Sequence, residues 1–314
     1  TGTITTSDLL KGESQDLRRE SGPRSPAQIT LGTTAARVIS AAPPVRVLAE
    51  LPALSVQRIG TDTHRIDLGQ NLVGWLRLRL DGDAGTTVTV RHAEILRPDG
   101  SLYLDNLRTA TATDSYVLDG RPAWVEPRFT FHGFRYAEVT GYPGALSTDD
   151  VIGVVCGSDL EEVGEFACSD DAINQLHSNI EWSARGNFFD IPTDCPQRDE
   201  RMGWTGDAQV FAPTACYLFD TAAFFTKWLR DMVDGQTAAG SFPDVAPLVV
   251  LAEGGSAGWA DAGVIVPSVM WERYADRDLV AELYPAMRAW VDHVHRANPG
   301  LLWLDARGYD NGDW

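Results

Sequence analysis

The sequence predicts a multidomain β + α protein, in which an antiparallel β-sandwich precedes a helical toroid or barrel. Two observations favour this class. Apolar and polar residues alternate in short runs between about Pro44 and Pro143, as in half-buried antiparallel strands. Beyond residue 158, apolar residues recur at spacings of three and four, the period of amphipathic helices. Since a single hydrophobic core rarely extends over 314 residues, we expect more than one domain.

The first 38 residues are polar and short of aromatic side chains. The run RRESGPRSP, residues 18–26, has the Pro, Gly and Ser content of an exposed loop. We therefore assign residues 1–38 to a loop or to the tail of a preceding domain.

Residues 39–158 are assigned to the β-sandwich. In the run WLRLRL, Leu76, Leu78 and Leu80 alternate with Arg77 and Arg79. The run TTVTVRH repeats this period of two, and GDAG and PDG have the residues of hairpin turns. Alternating strands joined by such turns are typical of a sandwich of antiparallel sheets.

Residues 159–314 are assigned to the helical domain. The spacing predicts four amphipathic helices, within residues 170–190, 208–236, 258–276 and 279–298. The loops between them are rich in Asp, Gly and Trp, so we expect these loops to line a cleft.

The charge excludes several classes of partner. Asp and Glu number 44 against 26 Lys and Arg, a formal charge of −18, which repels nucleic acid and anionic membrane surfaces. No apolar run is long enough to span a bilayer, and the start lacks the pattern of a signal peptide. These features predict a cytoplasmic protein with neither nucleic acid nor membrane as partner. A homodimer is one possible assembly.

The sequence favours no metal site. The four cysteines have no CxxC or short Cys/His spacing, and buried thiols are the simpler interpretation. His132 and His177 are expected to be packed or capping residues, and His293 and His295 lie on different faces of one helix.

The densest chemistry lies in DIPTDCPQRDERMGWTGDAQ, residues 190–209. Its Pro and Gly residues keep most of it out of helix, yet it concentrates acidic side chains beside arginines and an indole: Asp190, Asp194, Arg198, Asp199, Glu200, Arg201, Trp204 and Asp207. Crowded carboxylates raise one another's pKa, so one can donate a proton near neutral pH. A Trp face suits the C–H side of a sugar while acids accept hydrogen bonds from its hydroxyls. Carbohydrate is the substrate class indicated, and a structural network of ion pairs is the alternative interpretation.

Two further loops place a Trp next to acidic residues at Gly-rich connections. EGGSAGWADAG contains Glu253, Trp259 and Asp261, and YDNGDW contains Asp310, Asp313 and Trp314. For each loop alone, a core Trp and a capping Asp are the favoured interpretation. Three such loops in one helical region favour a sugar-binding cleft.

At DCPQRDERMGWTGDAQVFA the sequence resembles the bacterial α-L-rhamnosidases of glycoside hydrolase family 78. The upstream runs IDLGQNLVGWLRLRLDGDAGTTVTVRHAEIL and EPRFTFHGFRYAEVTGYPG are similar to the β-sandwich that precedes the catalytic domain in that family. The resemblance covers nearly the whole chain. It implies an (α/α)6 catalytic barrel, hydrolysis of terminal α-L-rhamnosyl groups from small molecules or oligosaccharides with inversion, and no cofactor or metal.

The resemblance also implies roles for individual residues. Glu200 corresponds to the general acid, and it lies among acids in this sequence. The other implied residues grip or wall the sugar: Asp194, Arg198, Trp204, Asp207, Trp259 and Trp314. Asp199 is expected to turn away and pair with Arg201.

The family's general base is a glutamate beyond the GDW motif, and this chain stops at that motif with Trp314. An inverting mechanism needs a second carboxylate roughly 6.5–9.5 Å from the acid. We therefore expect residues 159–314 to be the first half of the barrel and the chain to be a piece of a larger enzyme, inactive alone. Two alternatives stay open: another inverting (α/α)6-barrel glycosidase, and a sugar-binding fragment without catalysis.

Overall fold

The computed structural model describes residues 2–19, 22, 26–28, 32, 39–249 and 254–303. The chain divides into two compact units. The sheet unit comprises Thr1–Ile39, Arg46–Gly157 and Cys195–Glu200, and the helical unit comprises Ser40–Val45, Ser158–Asp194 and Arg201–Trp314. In the described part of the chain, no helix combines the length and apolar composition needed to cross a bilayer.

In the residues that the structure describes, the sheet unit contains one sheet of ten strands. They are β1 Ile4–Asp8, β2 Gly12–Asp16, β3 Val45–Pro52, β4 Ser55–Arg58, β5 His64–Leu80, β6 Thr87–Ala93, β7 Thr113–Val117, β8 Ala123–Val125, β9 His132–Thr140 and β10 Val151–Ser158. Their order is β1-β2-β7-β6-β9-β5-β10-β3, and β4 and β8 also pair with β5. The pairing of β2 with β7 is parallel, while β5 pairs with β4, β8, β9 and β10 in antiparallel register.

The long strand β5 shows why alternation predicted this sheet. Leu76, Leu78 and Leu80 are at most 2% exposed, whereas Arg77 and Arg79 between them point away from the core. Because successive side chains of a strand face opposite sides, the leucines form one buried face. The predicted alternation in WLRLRL is confirmed.

The second strand, β2, buries polar side chains instead of apolar ones. Glu13 is 1% exposed, and its carboxylate accepts hydrogen bonds from the backbone N–H groups of Arg128 and Phe129, each at 3.1 Å. Gln15 donates to the same carboxylate at 2.8 Å. These bonds satisfy the buried charge, so β2 forms part of the sheet without an apolar pattern.

The helical unit contains five helices among its described residues. They are α1 Asp171–Asn187, α2 Thr205–Leu218, α3 Ala222–Asp234, α4 Ala262–Tyr274 and α5 Arg277–Ala297. A short antiparallel pair, β11 Phe188–Phe189 and β12 Ile191–Pro192, follows α1 and turns at Asp190, whose φ is 66°.

The single helix predicted over residues 208–236 is wrong, because that segment forms both α2 and α3. The break lies at Phe219, which has an extended backbone with φ −133° and ψ 153° and is 1% exposed. Thr221, just before α3, donates its backbone N–H to the Tyr274 hydroxyl at 2.9 Å. A tertiary hydrogen bond and burial therefore end α2 where apolar spacing continues.

Aromatic side chains build the core of the helical unit. The rings of Phe188 and Phe224 stack with centroids 4.7 Å apart, and Phe225 meets Phe224 edge-on at 5.5 Å. Trp228 is fully buried and donates its indole N–H to the carbonyl of Ala246 at 3.0 Å. Tight packing of these aromatic side chains makes the core of the helical unit rigid, and the loops that join the helices are attached to this core.

Candidate active site

A cavity of about 660 Å³ opens in the helical unit. Its wall includes three residues predicted to bind sugar, Asp194, Asp207 and Trp259. The other lining residues come from α1, α2 and the adjoining loops: Ser183, Ala184, Asn187, Phe188, Pro192, Thr193, Gly206, Ala208, Gln209, Val210, Phe211, Ala257 and Gly258. Apolar walls with a few polar groups are characteristic of a small-molecule pocket.

Asp194 is held at the cavity wall by main-chain hydrogen bonds. Its N–H donates to the carbonyl of Met202 at 3.0 Å, and Met202 donates its N–H to the Asp194 Oδ1 at 2.8 Å. The side-chain amide of Asn187, in the last turn of α1, donates to the Asp194 carbonyl at 3.0 Å. These bonds fix both the backbone and the carboxylate of Asp194.

Asp207 lies in the first turn of α2 and is exposed. The unpaired N–H groups at the start of a helix favour a negative charge there. The carboxylate is therefore compatible with its position and available to the cavity.

Trp259 packs against the start of α2. A Cβ atom at Gly206 would lie 2.9 Å from the indole, so only glycine lets the ring approach this closely. Asp261 orders the loop that carries the ring, since its Oδ2 accepts from the N–H of Gly258 at 2.9 Å and its Oδ1 from the Trp290 indole at 3.0 Å. Gln209 donates its side-chain amide to the Gly258 carbonyl.

Trp204 is the residue that precedes α2, and it is half-buried. Its backbone pairs with Val245 in an isolated bridge. It belongs to the same unit as the cavity but is not one of the cavity's lining residues.

Glu200 belongs to the sheet unit, with a side chain that is 15% exposed. The guanidinium of Arg198 donates to its Oε2 at 2.6 Å, and Arg108 Nη1 lies 3.4 Å from the same oxygen. The sequence predicted several carboxylates around Glu200. Within the sheet unit, the guanidinium groups of Arg198 and Arg108 are among its charged neighbours.

Asp199 accepts two hydrogen bonds from Thr109. The Thr109 hydroxyl donates to Asp199 Oδ2 at 2.6 Å, and the Thr109 backbone N–H donates to the same oxygen at 3.1 Å. These bonds lower the pKa of Asp199 below its ordinary value. The sequence suggested Arg201 as its partner, and nothing in the motif indicated Thr109.

The sheet unit also contains a buried cluster of His92, Asp114 and His132, whose possible metal-ligating atoms lie within 4.8 Å of one another. The Nε2 of His132 lies 3.0 Å from Asp114 Oδ2, and the two imidazoles stack with centroids 4.2 Å apart and planes 23° apart. Lone pairs lie in the plane of each ring, so two nearly parallel rings do not aim at one ion. The cluster suits a hydrogen-bonded core better than a metal centre.

Two family models match the chain. The bacterial α-L-rhamnosidase concanavalin-like domain matches residues 57–157, and the bacterial α-L-rhamnosidase six-hairpin glycosidase domain matches residues 161–314. The chain belongs to the bacterial α-L-rhamnosidase family, glycoside hydrolase family 78. It combines a concanavalin-like β domain with a six-hairpin glycosidase α domain, which confirms the β + α class predicted from the sequence.

Relatives of this rhamnosidase-family chain are similar along much of its length. An α-L-rhamnosidase of Streptomyces avermitilis is 49% identical over 325 residues, covering 100% of this chain and 31% of the relative. An α-L-rhamnosidase of Formosa agariphila is 45% identical over 240 residues, covering 75% of this chain and 26% of the relative. The chain thus spans about three tenths of the length of these relatives.

Solved α-L-rhamnosidase structures share the fold. The Streptomyces avermitilis enzyme complexed with L-rhamnose matches with a TM-score of 0.91 at 47% identity, covering 100% of this chain and 31% of that one. The enzyme of Dictyoglomus thermophilum matches with a TM-score of 0.89 at 35% identity, covering 95% and 35%.

The structure of this rhamnosidase-family chain groups the predicted residues unevenly. The cavity brings Asp194, Asp207 and Trp259 together, whereas Arg198 and Glu200 belong to the sheet unit. The predicted residue Trp314 lies outside the described residues, as do Glu253, Asp310 and Asp313.

Sequence reasoning missed one supporting acid in the helical unit. Asp244 is 6% exposed, and its Oδ1 accepts from the N–H groups of Gly255 and Ser256 at 3.0 and 2.9 Å. Its Oδ2 accepts from the Ser256 hydroxyl at 2.6 Å. Asp244 stands alone between apolar residues in the sequence, so no cluster of acids marked it.

Proposed function

We propose that this chain carries part of the active site of an inverting α-L-rhamnosidase, which releases terminal α-L-rhamnose from rhamnosylated small molecules or oligosaccharides. The cavity lined by Asp194, Asp207 and Trp259 is the observation that supports this most directly. The match to a relative complexed with L-rhamnose adds support. A homodimer and a cytoplasmic location stay predictions.

The sugar-binding roles follow from the chemistry of the side chains. Asp194 and Asp207 accept hydrogen bonds from rhamnose hydroxyls, with Arg198 nearby in the motif. The indoles of Trp204, Trp259 and Trp314 present apolar faces to the C–H side of the ring. The indole of Trp259 packs against Gly206, so the orientation of its ring is fixed before a sugar enters.

Glu200 serves as the general acid. Its proton passes to the glycosidic oxygen as the bond from that oxygen to the anomeric carbon breaks, so the alcohol leaves neutral and Glu200 becomes a carboxylate. Water attacks the opposite face of the sugar, and a second carboxylate takes its proton, which inverts the anomeric configuration. From the family resemblance we infer that this second carboxylate lies beyond Trp314.

We further propose the finer architecture that the family implies. Residues 39–158 form a β-sandwich to which β1 and β2 of residues 1–38 add two strands, and residues 159–314 form the first half of an (α/α)6 barrel. The five helices and the match to a six-hairpin glycosidase domain support the barrel.

The test is hydrolysis of methyl α-L-rhamnoside, whose alcohol needs a proton to leave, by the full-length gene product, with the released anomer identified by NMR. We expect release of β-L-rhamnose as the first product, and a loss of several orders of magnitude in kcat for Glu200→Gln. Glu272→Gln, an exposed residue of α4, is the control and should leave turnover unchanged.

Three results would refute the proposal. Normal turnover by Glu200→Gln would exclude Glu200 as the general acid. Preferential cleavage of another sugar from a panel of nitrophenyl glycosides would favour a different glycosidase. Rhamnose binding in calorimetry without hydrolysis would favour a sugar-binding protein.

A further inference from the structure

A turn of the sheet unit, residues 105–109, contacts the segment Cys195–Glu200 within the same unit. Thr109 donates two hydrogen bonds to Asp199 Oδ2, from its hydroxyl at 2.6 Å and from its backbone at 3.1 Å. Arg108 Nη1 lies 3.4 Å from Glu200 Oε2 and 3.9 Å from Asp199 Oδ1. Two neighbouring residues of the turn therefore contact two neighbouring acids of the segment.

The turn of residues 105–109 is held in place by contacts within the sheet unit. Leu107 is 2% exposed and packs in a small apolar cluster with Ala110 and Ala112. Asn106 donates its side-chain amide to Glu94 Oε2 at 3.1 Å, and burial raises the pKa of Glu94. A buried leucine and a bound amide leave the turn little freedom to move.

The backbone of Arg108 is unusual for a residue with a side chain. Its φ is 57° and its ψ is −112°, outside the regions that L-residues ordinarily occupy. Such a conformation costs free energy and persists only where the surroundings enforce it, and strained residues of this kind concentrate at functional sites. The anchoring of Leu107 and the bonds of Thr109 hold Arg108 in place on both sides.

The segment is also fixed from the direction of β9. A Cβ atom at Gly133 would lie 2.7 Å from the Cβ of Gln197 and 3.1 Å from its Cα. Because Gly133 has no side chain, the main chain of the segment lies directly against the strand. Glu200, three residues later, thus follows a stretch of backbone that the sheet holds closely.

We propose that Arg108 and Thr109 are positioning residues for the general acid. Thr109 fixes the acid-bearing segment through Asp199, and the charge of Arg108 stabilises the carboxylate that Glu200 becomes once its proton has passed to the leaving oxygen. This proposal rests on the proposed function. Arg108 is 54% exposed, so solvent screens its charge and its effect on the rate is moderate.

A leaving-group comparison separates positioning of the acid from a merely structural role. Departure of an alkyl alcohol needs the proton of the general acid, whereas 2,4-dinitrophenolate is stable enough to leave without it. A variant that only disturbs the fold lowers kcat for both substrates. A variant that impairs proton donation lowers kcat for the alkyl rhamnoside alone.

The experiment compares methyl and 2,4-dinitrophenyl α-L-rhamnosides in the full-length gene product. For Arg108→Met we expect kcat to fall about tenfold on the methyl substrate and to change less than about twofold on the dinitrophenyl substrate, with KM unchanged. Thr109→Val should show the same selectivity at roughly threefold. Arg121→Met is the matched control, since Arg121 is 81% exposed and pairs with Asp119.

Each outcome is decisive. Equal losses on both substrates for Arg108→Met, or no loss on either, would overturn the positioning role. If Glu200→Gln shows the selective loss and Arg108→Met does not, this inference fails while the proposed function stands. If the unmodified protein releases no rhamnose from either substrate, the proposed function fails first.

Discussion

Gly206 touches the indole of Trp259 so closely that a Cβ atom at position 206 would lie 2.9 Å from both Cε2 and Nε1 of the ring. Real side chains do not tolerate that distance, so Gly206→Ala must displace the ring from the cavity wall. We expect roughly tenfold weaker binding of rhamnose, measured by calorimetry.

Gly300→Ala is the control for this substitution, because a Cβ atom there meets nothing within 4 Å. Unchanged rhamnose affinity in Gly206→Ala would show that the position of the Trp259 ring is unimportant for binding.

Asp261→Ala should destabilise the loop that carries Trp259. The change removes the acceptor for the Trp290 indole N–H, and Trp290 is only 2% exposed. A buried donor without an acceptor costs about 1–3 kcal/mol in the free energy of unfolding, which urea denaturation measures. Asp292→Ala, which removes an exposed acid in α5, should cost less than about 0.5 kcal/mol. Equal costs would contradict the assigned hydrogen bond.

Acid should destabilise the sheet unit through His92. Burial lowers the pKa of His92 to about 3 in the folded protein, with a further contribution from His132, whereas Asp114 opposes the shift. In the unfolded chain the ordinary value is about 6.5. Between these values the unfolded state binds a proton that the folded state does not, so stability is complete above about pH 6.5 and is lost as the pH falls toward 3.

The loss should approach 1.4 kcal/mol per pH unit, the value for one proton. Below about pH 4 Asp114 adds to it, because its folded pKa is also lowered. Hydrogen exchange of β6 and β9 between pH 7 and 4.5 measures the effect. His92→Gln should flatten the dependence and the exposed His295→Gln should not; an unchanged slope in His92→Gln would exclude His92 as the source.

Phe225→Ala should cost about 3–5 kcal/mol in the free energy of unfolding of the helical unit. Phe225 is fully buried and meets both Phe224 and Trp228 edge-on, so truncation leaves a cavity between rings. Val210→Ala, at a position that is 78% exposed, is expected to change stability by less than about 0.5 kcal/mol. Comparable losses in the two variants would show that the aromatic cluster is not the core.

The sequence predicted elements whose pattern is local. The alternation in β5 identified the strand because its leucines face one buried side, and the spacing of three and four identified α1, α4 and α5. Where burial is polar the pattern fails, as in β2, which buries Glu13 and Gln15. Where a distant group ends a helix it also fails, as at Thr221 with the Tyr274 hydroxyl.

For the candidate site, the sequence identified the acids and the indoles but not what holds them. Thr109 lies 90 residues from Asp199, and no spacing rule links positions so far apart. Gly206 gave no signal either, since its importance comes from the ring of Trp259 that lies on it. The family resemblance supplied the roles of the residues, whereas their supports became visible only in three dimensions.

The short run Cys195–Glu200 belongs to the sheet unit although it is encoded between helices, and Ser40–Val45 belongs to the helical unit although β2 precedes it and β3 continues after it in the sequence. No single breakpoint in the gene can therefore separate the two units cleanly. A chimera that joins the first 157 residues of this protein to the remainder of a distant relative would import a foreign acid-bearing run opposite a native Arg108 and Thr109. Recombination within this family should tolerate crossovers at that junction only when both parents match at these positions.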